Sequence, residues 1–513
     1  MFKKKLTIIL LVSFLLSFVS PLTLAAENEK TLVLAYDKGP ETMDHIKTGW
    51  YSDALVWIFD RLVSRDYNFQ YKPGLAKRWD VSADGLIWTF YLRENVKFHN
   101  GEPLTARDVK WTFDTILDPK TASPFAGDMD VIKEVVIRDQ HTVDIELKYT
   151  FPNLLFNLSA TAAGIAWHGS YQEYGSDYGS KYVIGTGPYM LKEWRKGDRI
   201  ILDKNPDYTW GPEWMVNQGP ALIDQVILRT IPEENVLIME LETGGVHISK
   251  TVPTTFVERL EQNAEVNVIK GEATKLGYLA YACDQEPFTD IRVRQAINHA
   301  IDRKPITLFV LRDLAKPAYG YLPPALKDEY LETSAEIGYK YNPERARELL
   351  AAAGLENGFE TTLSADNSSR SRRLAEVIQA QLLEVGIKTK IQLYDSSGYV
   401  AMLKEGKQEL FIRQYSWPNA DILDWFLLSS QMPYPNHSRW VDLKTDQLIN
   451  AAATAPNWEE RAEGYKKAQQ YLIEQAVWCP IYVPENVIAV RKEVKDFKYH
   501  PWMFFPSEFD LGK

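Results

Sequence analysis

The stretch from residue 374 to residue 393 joins a helix to a strand through a single glycine. Apolar residues recur at helical spacing until Gly386 ends the pattern, and a β-rich alternation then runs over residues 387–393. The helical stripe consists of Leu374, Val377, Ile378, Leu382 and Val385. A helix that stops at a glycine and leads directly into a strand is half of a βαβ unit, which favours a covered, largely parallel sheet.

The same alternation of helix and strand occurs elsewhere. Residues 86–93 alternate as a half-buried strand, and Thr105 with Asp108 forms a capping box that predicts a helix start. In the second half, Asn342 and Pro343 begin a helix that Gly354 ends. Strands and helices that interleave along the whole chain predict an α/β architecture with one region early and one late.

The amino terminus has the order of a secretory signal peptide. Three lysines at 3–5 precede an apolar run over residues 6–19, and Ala25 and Ala26 offer a small-residue cleavage site. The run is shorter than the roughly 20 residues that cross a membrane, which disfavours an anchor. Because no Cys lies at the cleavage site, the sequence predicts export to the periplasm or the extracellular side without a lipoprotein anchor.

Composition excludes some partners and leaves others open. Removal of residues 1–26 takes away three lysines and no acid, so the formal net charge of −11 becomes −14. Such a balance argues against nucleic acid or an anionic membrane as a partner. The 15 Trp and 27 Tyr residues are a large aromatic load, and most such residues fill cores. A surplus of this size also suits a wide cleft that stacks on flat ligand faces.

Motifs for catalysis and cofactor binding are missing from the sequence. We find no nucleophile elbow, zinc-protease helix, Walker loop or metal-ligand spacing among the eight His residues. The sequence therefore predicts a protein without enzymatic activity, cofactor or metal. Cys283 and Cys479 are the only cysteines, and the sequence leaves open whether they form a disulfide.

The densest motif covers residues 73–116. It contains a Leu-Ala-x-x-Trp opening, an Asp-Gly turn, a strand ending in Leu-Arg, a Lys-Phe-His-x-Gly turn and Thr-Ala-x-Asp-Val at a helix start. Further pieces are the Gly-Thr-Gly-Pro-Tyr of 185–189, the Asn-Pro-Asp-Tyr of 205–208 and the helix of 290–303. In this order the motifs resemble the solute-binding protein family 5 receptors of peptide-type ABC importers.

The resemblance implies a fold and its domain boundaries. We expect a periplasmic-binding-protein-like α/β fold of class II, of the large three-domain type, with two lobes that close over a central cleft. Domain I would combine residues 27–61, 185–275 and 485–513, domain II would cover 62–184, and domain III would cover 276–484. The chain would cross between the lobes at 185–188 and near Pro484.

The resemblance also implies where a ligand binds. Asp421, with Asp424 three residues later, matches the family's acids that pair with a peptide's α-amino group. Two departures leave an alternative open, namely that Asp421 is a helix N-terminal acid: its distance from Trp417 is one residue longer than expected, and Trp425 stands where the family usually has Pro. The other expected cleft residues are Tyr415, Asn436, Trp440, Trp50, Tyr51, Trp167 and His168.

The implied function is capture of an oligopeptide by lobe closure and its delivery to an ABC permease, by a receptor that is a monomer. Crowded aromatics leave an oligosaccharide ligand open, since some receptors of this family stack sugar rings. Peptide binding requires Asp421 and a free amine, whereas sugar binding depends on the Trp residues. A remote alternative is an exported hydrolase, which would turn over its bound oligomer.

Overall fold

The computed structural model describes residues 29–36, 38–48, 52–151 and 153–512. The predicted signal peptide and the expected cleft residues Trp50 and Tyr51 lie outside the described residues. Within the described ranges, the helices are all too short or too polar to cross a membrane.

The strands of the described chain form one large sheet, one four-stranded sheet and two small pairs. In chain order they are β1 (Thr31–Tyr36), β2 (Val63–Arg65), β3 (Tyr71–Pro73), β4 (Ala76–Val81), β5 (Ile87–Leu92), β6 (Ile132–Asp139), β7 (Thr142–Leu147), β8 (Tyr189–Arg195), β9 (Arg199–Lys204), β10 (Gln225–Thr230), β11 (Ile248–Ser249), β12 (Val266–Glu272), β13 (Lys275–Tyr281), β14 (Ala315–Pro317), β15 (Phe359–Asp366), β16 (Ile387–Tyr394), β17 (Leu410–Ser416), β18 (Trp478–Arg491), β19 (Val494–Lys495) and β20 (Asp510–Leu511).

Helices alternate with these strands. They are α1 (Asp53–Ile58), α2 (Ala106–Leu117), α3 (Ala126–Met129), α4 (Leu154–Leu158), α5 (Ser170–Tyr174), α6 (Glu234–Thr243), α7 (Val257–Glu261), α8 (Ile291–Ala300), α9 (Arg303–Pro305), α10 (Ser334–Ile337), α11 (Pro343–Ala352), α12 (Ser369–Glu384), α13 (Ser396–Lys404), α14 (Ile422–Leu427), α15 (Leu443–Ala453) and α16 (Trp458–Glu474). A π-helical turn covers Ile306–Val310.

The large sheet has twelve strands in the order β16-β15-β17-β13-β18-β11-β1-β10-β9-β8, and β12 and β14 also pair with β18. The predicted parallel pairing is present where β15 lies beside β16 and β17, and where β1 lies beside β10 and β11. The remaining pairs are antiparallel, so the expectation of a largely parallel sheet is wrong for the sheet as a whole. The reason is that strands carrying the chain between lobes pair with neighbours that run back the other way.

Strand β18 belongs to both halves of this sheet. Its first part pairs with β13, with Leu279 opposite Cys479, and its last part pairs with β12, with Glu272 opposite Glu485. The transition falls at Pro484, which pairs with β14. The chain therefore passes between the halves on two adjacent antiparallel routes, β12–β13 and β18.

Buried side chains form distinct cores on the two sides of this crossing. One core consists of residues from Leu276 to Tyr482, and we call the part of the chain around it the carboxy lobe. The other side, here the amino lobe, holds a core around the four-stranded sheet and α2, and further cores around β1, α1 and β8–β12. This arrangement is the two-lobed α/β periplasmic-binding fold that the motifs predicted. The exact domain boundaries stay a prediction.

The local elements predicted from the sequence are confirmed. In α2 the Asp108 carboxylate accepts hydrogen bonds from the Thr105 backbone N–H and hydroxyl, both at 2.9 Å, and the helix buries Val109, Phe113 and Ile116. In α11 the Asn342 side chain accepts from the Arg345 N–H at 2.9 Å. Gly386 has a φ of +91°, a left-handed conformation that lets α12 end and β16 begin at once.

Two glycines in the segment 185–188 permit close packing. A Cβ on Gly185 would lie 2.0 Å from the Ile58 carbonyl oxygen, and one on Gly187 would lie 2.2 Å from the Trp57 carbonyl oxygen. The Gly187 N–H donates to Ile58 O at 2.9 Å, and the His99 N–H donates to Gly185 O at 2.9 Å. This segment therefore connects the four-stranded-sheet region to α1 through backbone contacts that only glycine allows.

The two cysteines are buried free thiols. Cys283 lies near the Tyr281 carbonyl, at 3.7 Å, and Cys479 accepts from Arg303 Nη2 at 3.6 Å. Burial raises the pKa of Cys283 to about 12, so its thiol stays protonated. The disulfide that the sequence left open is not formed in the structure.

Candidate ligand-binding cleft

The loop between β17 and α14 carries the acid singled out in the sequence. Asp421 is the N-cap residue of α14, yet its side chain makes no capping hydrogen bond. Its carboxylate instead accepts from Trp417 Nε1 at 2.8 Å and from Asn153 Nδ2 at 2.6 Å. Because Asn153 belongs to the amino lobe, the Asp421 carboxylate faces the other lobe and does not cap its own helix.

Further hydrogen bonds fix this loop. The Asn419 amide donates to Asn153 Oδ1 at 3.2 Å, and the Ala420 N–H donates to Glu329 Oε2 at 2.8 Å. Glu329 itself is 2% exposed and lies on the carboxy-lobe side. The loop is thus held from behind by Glu329 and across the cleft by Asn153.

A buried arginine lies behind the acids. Arg461, which is 0% exposed, has its Nε 3.3 Å from Glu329 Oε1, and the Asp424 carboxylate accepts from the Tyr465 hydroxyl at 2.7 Å. Burial raises the pKa of Glu329 to about 7 despite the neighbouring Arg461. Burial also raises the pKa of Asp421, and burial with the Asp421 charge raises that of Asp424.

An acid-lined cavity of about 190 Å³ opens between the lobes at this point. Its carboxylates are Asp128 from the amino lobe and Asp421 and Asp424 from the carboxy lobe. The other lining side chains include Tyr149, Phe151, Asn153, Asn157, Trp425 and Arg461. Carboxylates and aromatic rings on one wall suit an organic cation.

A larger cavity of about 390 Å³ lies along the joint of the large sheet. Its wall includes residues of β1, β10, β18 and the end of β17. Lys250 Nζ lies 2.9 Å from Asp53 Oδ2, and Lys275 Nζ donates to Asn486 Oδ1 at 3.0 Å. Burial, together with Arg370 and Lys250, lowers the pKa of Lys275. Positive charge is concentrated here, because the wall carries Lys38, Arg229, Lys250 and Lys275 against one carboxylate, that of Asp53.

Aromatic and cationic contacts connect the two cavities. His500, on the wall of the larger cavity, lies 4.9 Å from the Phe69 ring. Arg65 lies over both the Phe69 and Phe156 rings, and the Phe156 ring lies 6.4 Å from that of Trp417, next to Asp421. The cleft therefore runs from a basic region to an acidic one along an aromatic path.

Two predicted aromatic residues lie beside Asp421. The rings of Trp417 and Trp425 are 5.5 Å apart, and Trp425 is 43% exposed on the wall of the acid-lined cavity. Trp417 holds Asp421 in place through its indole N–H. The structure thus brings together four residues that the sequence predicted.

Three predicted residues of the carboxy lobe lie in its core instead. Tyr415 is 5% exposed and donates its hydroxyl to Tyr321 O at 2.6 Å. Asn436 is fully buried and donates to the Leu428 and Trp440 carbonyls, while the Trp440 indole donates to Thr445. They line neither cavity. Their hydrogen bonds hold loops, which satisfies buried polar groups.

The two predicted residues of the amino lobe that the structure describes also lie away from Asp421. His168 Nδ1 lies 2.7 Å from Asp108 Oδ1, the carboxylate that caps α2. The ring of Trp167 packs against Gly169 and Tyr174 beside the core of the four-stranded sheet. Both residues stabilise the start of α2 and its surroundings.

Four residues of the site were not identified from the sequence: Asn153, Asp128, Glu329 and Arg461. Asn153 contacts a carboxylate 268 positions away in the chain, and no local pattern marks such a partner. Arg461 is the residue that a sequence signal could have revealed, because it is a charged residue in an otherwise largely apolar stripe of α16.

Two lobes joined by adjacent strands, with cavities at their joint and between them, define a two-lobed binding protein. The family model described as "Bacterial extracellular solute-binding proteins, family 5 Middle" matches residues 70–432. The chain belongs to this family of solute-binding proteins.

Individual relatives match along nearly the whole chain. Di/tripeptide-binding protein 3 of Pseudomonas aeruginosa is 30% identical, with 94% of each chain covered. Heme-binding protein A of Haemophilus influenzae is 28% identical over 88% of this chain and 86% of its own. Among solved structures, the ABC transporter-associated periplasmic binding protein DppA from Helicobacter pylori, in complex with peptide STSA, is 28% identical, with a TM-score of 0.76 over 94% of this chain and 98% of that one.

Proposed function

We propose that this protein is the receptor of an ABC importer and that it captures a short peptide between its lobes and delivers it to the membrane permease. The observation that carries the proposal is the Asp421 carboxylate, which faces the opposite lobe from a loop fixed by Trp417 and Glu329. A fixed, desolvated carboxylate is the partner that a peptide's α-ammonium requires. The peptide-binding relatives support the same ligand class.

The charge distribution of the cleft matches an extended peptide. The amino terminus of the bound peptide lies at Asp421. From there the peptide runs past Trp417 and Phe156 towards the basic region around Lys275. Hydrogen bonds from exposed backbone at the cleft edge hold the main chain, as an added strand would be held. Side chains of the ligand stack on the aromatic path.

Transport requires the ligand to change the balance between open and closed lobes. The closed form is favoured only by the ligand's differential affinity for the two states. Asp421 serves this purpose because its neighbours come from both lobes. The bound peptide is released to the permease unchanged, since the receptor carries out no chemistry on it.

The proposal includes the cellular context. The chain is exported, its leader is cleaved after Ala25 or Ala26, and the mature receptor acts as a monomer on the outer side of the cytoplasmic membrane. Asp424 and Trp425 complete the amine end of the site. The crossover at Pro484 and the β12–β13 connection absorb the closing motion.

A calorimetric and thermal-shift comparison of ligand classes tests the proposal. A ligand at 100 times its Kd adds about 2.7 kcal/mol to the free energy of unfolding. We expect tripeptides to raise Tm and N-acetylated tripeptides to bind at least about tenfold more weakly. We expect Asp421→Asn to abolish most of this discrimination, while Asp130→Asn, an exposed acid paired with Lys148, preserves it. Stabilisation by neutral glycans or hemin and none by peptides would overturn the proposal.

A further inference from the structure

With its acids ionised, the acid-lined cavity contains more negative charge than one peptide amine neutralises. Its wall carries three carboxylates and one guanidinium, and that guanidinium is shared with Glu329. Asp421 has two hydrogen-bond donors and Asp424 has one. Among the residues that the structure describes, no side chain donates to the Asp128 carboxylate, whose main-chain carbonyl alone accepts from Asn157.

Because of the position of Asp128, the excess of negative charge in the cavity depends on whether the two lobes are closed. Asp128 lies in the short helix α3 of the amino lobe, next to Met129 in the core of the four-stranded sheet. Asp421 and Asp424 belong to the carboxy lobe. Closing the cleft therefore brings like charges together, which costs free energy unless a cation lies between them. Burial and the Asp421 charge raise the pKa of Asp128 to about 6, in agreement with this repulsion.

Arg461 provides a second, independent sign of a ligand. Its guanidinium lines the same cavity and the side chain is 0% exposed. Glu329 Oε1 lies 3.3 Å from its Nε, but Nη1 and Nη2 have no hydrogen-bond acceptor among the described residues. Leaving buried guanidinium nitrogens without acceptors is costly. The ligand group that satisfies it carries an oxygen acceptor close to a positive charge, as the first carbonyl of a peptide does.

The aromatic wall fits the same chemistry. Tyr149, Phe151 and Trp425 line the cavity beside the acids, and Tyr149 and Trp425 are 51% and 43% exposed. Ring faces attract ammonium and guanidinium groups, more so where water is excluded. The volume of about 190 Å³ accommodates a side chain in addition to the α-ammonium.

We infer that Asp128 is a specificity-determining residue that favours peptides with a basic first residue, such as Lys or Arg. The α-ammonium neutralises Asp421, and the side-chain cation neutralises Asp128 from the opposite lobe. This inference rests on the proposed peptide-receptor function and adds the charge class of its ligands.

Titration calorimetry with three tripeptides tests the inference: Ala-Ala-Ala, Lys-Ala-Ala and Glu-Ala-Ala. We expect the wild-type protein to bind Lys-Ala-Ala about tenfold more tightly than Ala-Ala-Ala, with Glu-Ala-Ala weakest. In Asp128→Asn the preference for Lys-Ala-Ala should fall to about twofold or less. Asp130→Asn, two positions away and paired with Lys148 on the surface, should retain the full preference.

The outcomes separate this inference from the proposed function. Binding of Ala-Ala-Ala without any preference for Lys-Ala-Ala, or a preference that survives Asp128→Asn, overturns the role of Asp128 and leaves the peptide receptor intact. Failure of the wild-type protein to bind any of the three peptides overturns both. A circular dichroism spectrum and Tm equal to wild type show that Asp128→Asn is folded.

Discussion

At the scale of single residues, the site depends on buried charges that support one another. Glu329 accepts the Ala420 N–H and lies beside Arg461, so it positions the loop that presents Asp421. The exposed fraction of both Glu329 and Arg461 is at most 2%. Buried pairs of this kind contribute more to the geometry of a loop than to net stability.

Replacement of Glu329 by Gln should change how stability depends on pH. Burial raises the pKa of Glu329 from 4.5 to about 7, so its protonation favours folding. This contribution is fully present below pH 4.5 and is lost as the pH rises through about 7. Between about pH 5 and about pH 8, wild type should lose on the order of 2 kcal/mol more unfolding free energy than Glu329→Gln.

Urea denaturation at a series of pH values measures this difference. Gln preserves an acceptor for the Ala420 N–H, which keeps the loop contact. Glu332→Gln is a suitable control, because that acid lies three positions away and pairs with Lys466 at the surface. Parallel pH profiles of wild type and Glu329→Gln would show that Glu329 is not the titrating group.

The sequence singled out two of the three carboxylates that line the acid-lined cavity, and it missed Asp128 and most of the residues that contact the other two. Asp421, Asp424, Trp417 and Trp425 lie within nine consecutive positions, so a motif could reveal them. Asn153 and the other partners come from distant segments that only the folded chain brings together. Aromatic and amide side chains occur in cores and in clefts alike. For this reason the sequence placed three residues in the cleft that lie in the core, namely Tyr415, Asn436 and Trp440.

At the scale of elements, capping and glycine signals predicted the local structure well. The starts of α2 and α11 and the transition from α12 to β16 follow from side-chain hydrogen bonds and a left-handed glycine that depend on nearby residues. The antiparallel partners of β18 were not predictable in this way, since strand pairing depends on contacts across most of the chain.

The segment 185–188 offers a test at this scale. In Gly185→Ala the new methyl group would meet the Ile58 carbonyl oxygen at 2.0 Å, so either α1 or the segment must move. We expect a loss of about 2 kcal/mol or more in unfolding free energy, measured by chemical denaturation. Gly219→Ala, whose nearest contact would be 3.6 Å, should change it by less than about 0.5 kcal/mol. Equal effects of the two substitutions would contradict the close-approach argument.

At the scale of the whole molecule, the described structure has its lobes in contact across the cleft. Besides the Asn153–Asp421 hydrogen bond, Lys327 Nζ donates to Asn68 Oδ1 at 2.9 Å. Asn419 donates to Asn153 Oδ1 at 3.2 Å in the same way, and hydrogen bonds across the cleft are few among the described residues, which permits opening at modest cost. The balance between open and closed forms should therefore respond to single substitutions.

Asn153→Ala removes the hydrogen bonds to Asp421 and from Asn419, and it should shift the ligand-free protein towards the open form. We expect a larger radius of gyration by small-angle scattering and about threefold to tenfold weaker peptide binding. Asn217→Ala, which removes three hydrogen bonds of an amide side chain within the amino lobe, is the control. Scattering and affinity equal to wild type would exclude Asn153 as a closure contact.

The double crossing at β12–β13 and β18 also has a consequence for modular engineering. The chain passes between the two cores near Lys275 and near Pro484, and the register partners Glu272 and Glu485 lie on adjacent strands next to these junctions. The two ends of the lobe are thus about one strand spacing, roughly 4.8 Å, apart. An insert with neighbouring ends is geometrically suited to exchange. A relative's lobe grafted at these junctions should therefore transfer the part of the ligand preference that the carboxy lobe carries, while the part set by Asp128 stays with this scaffold.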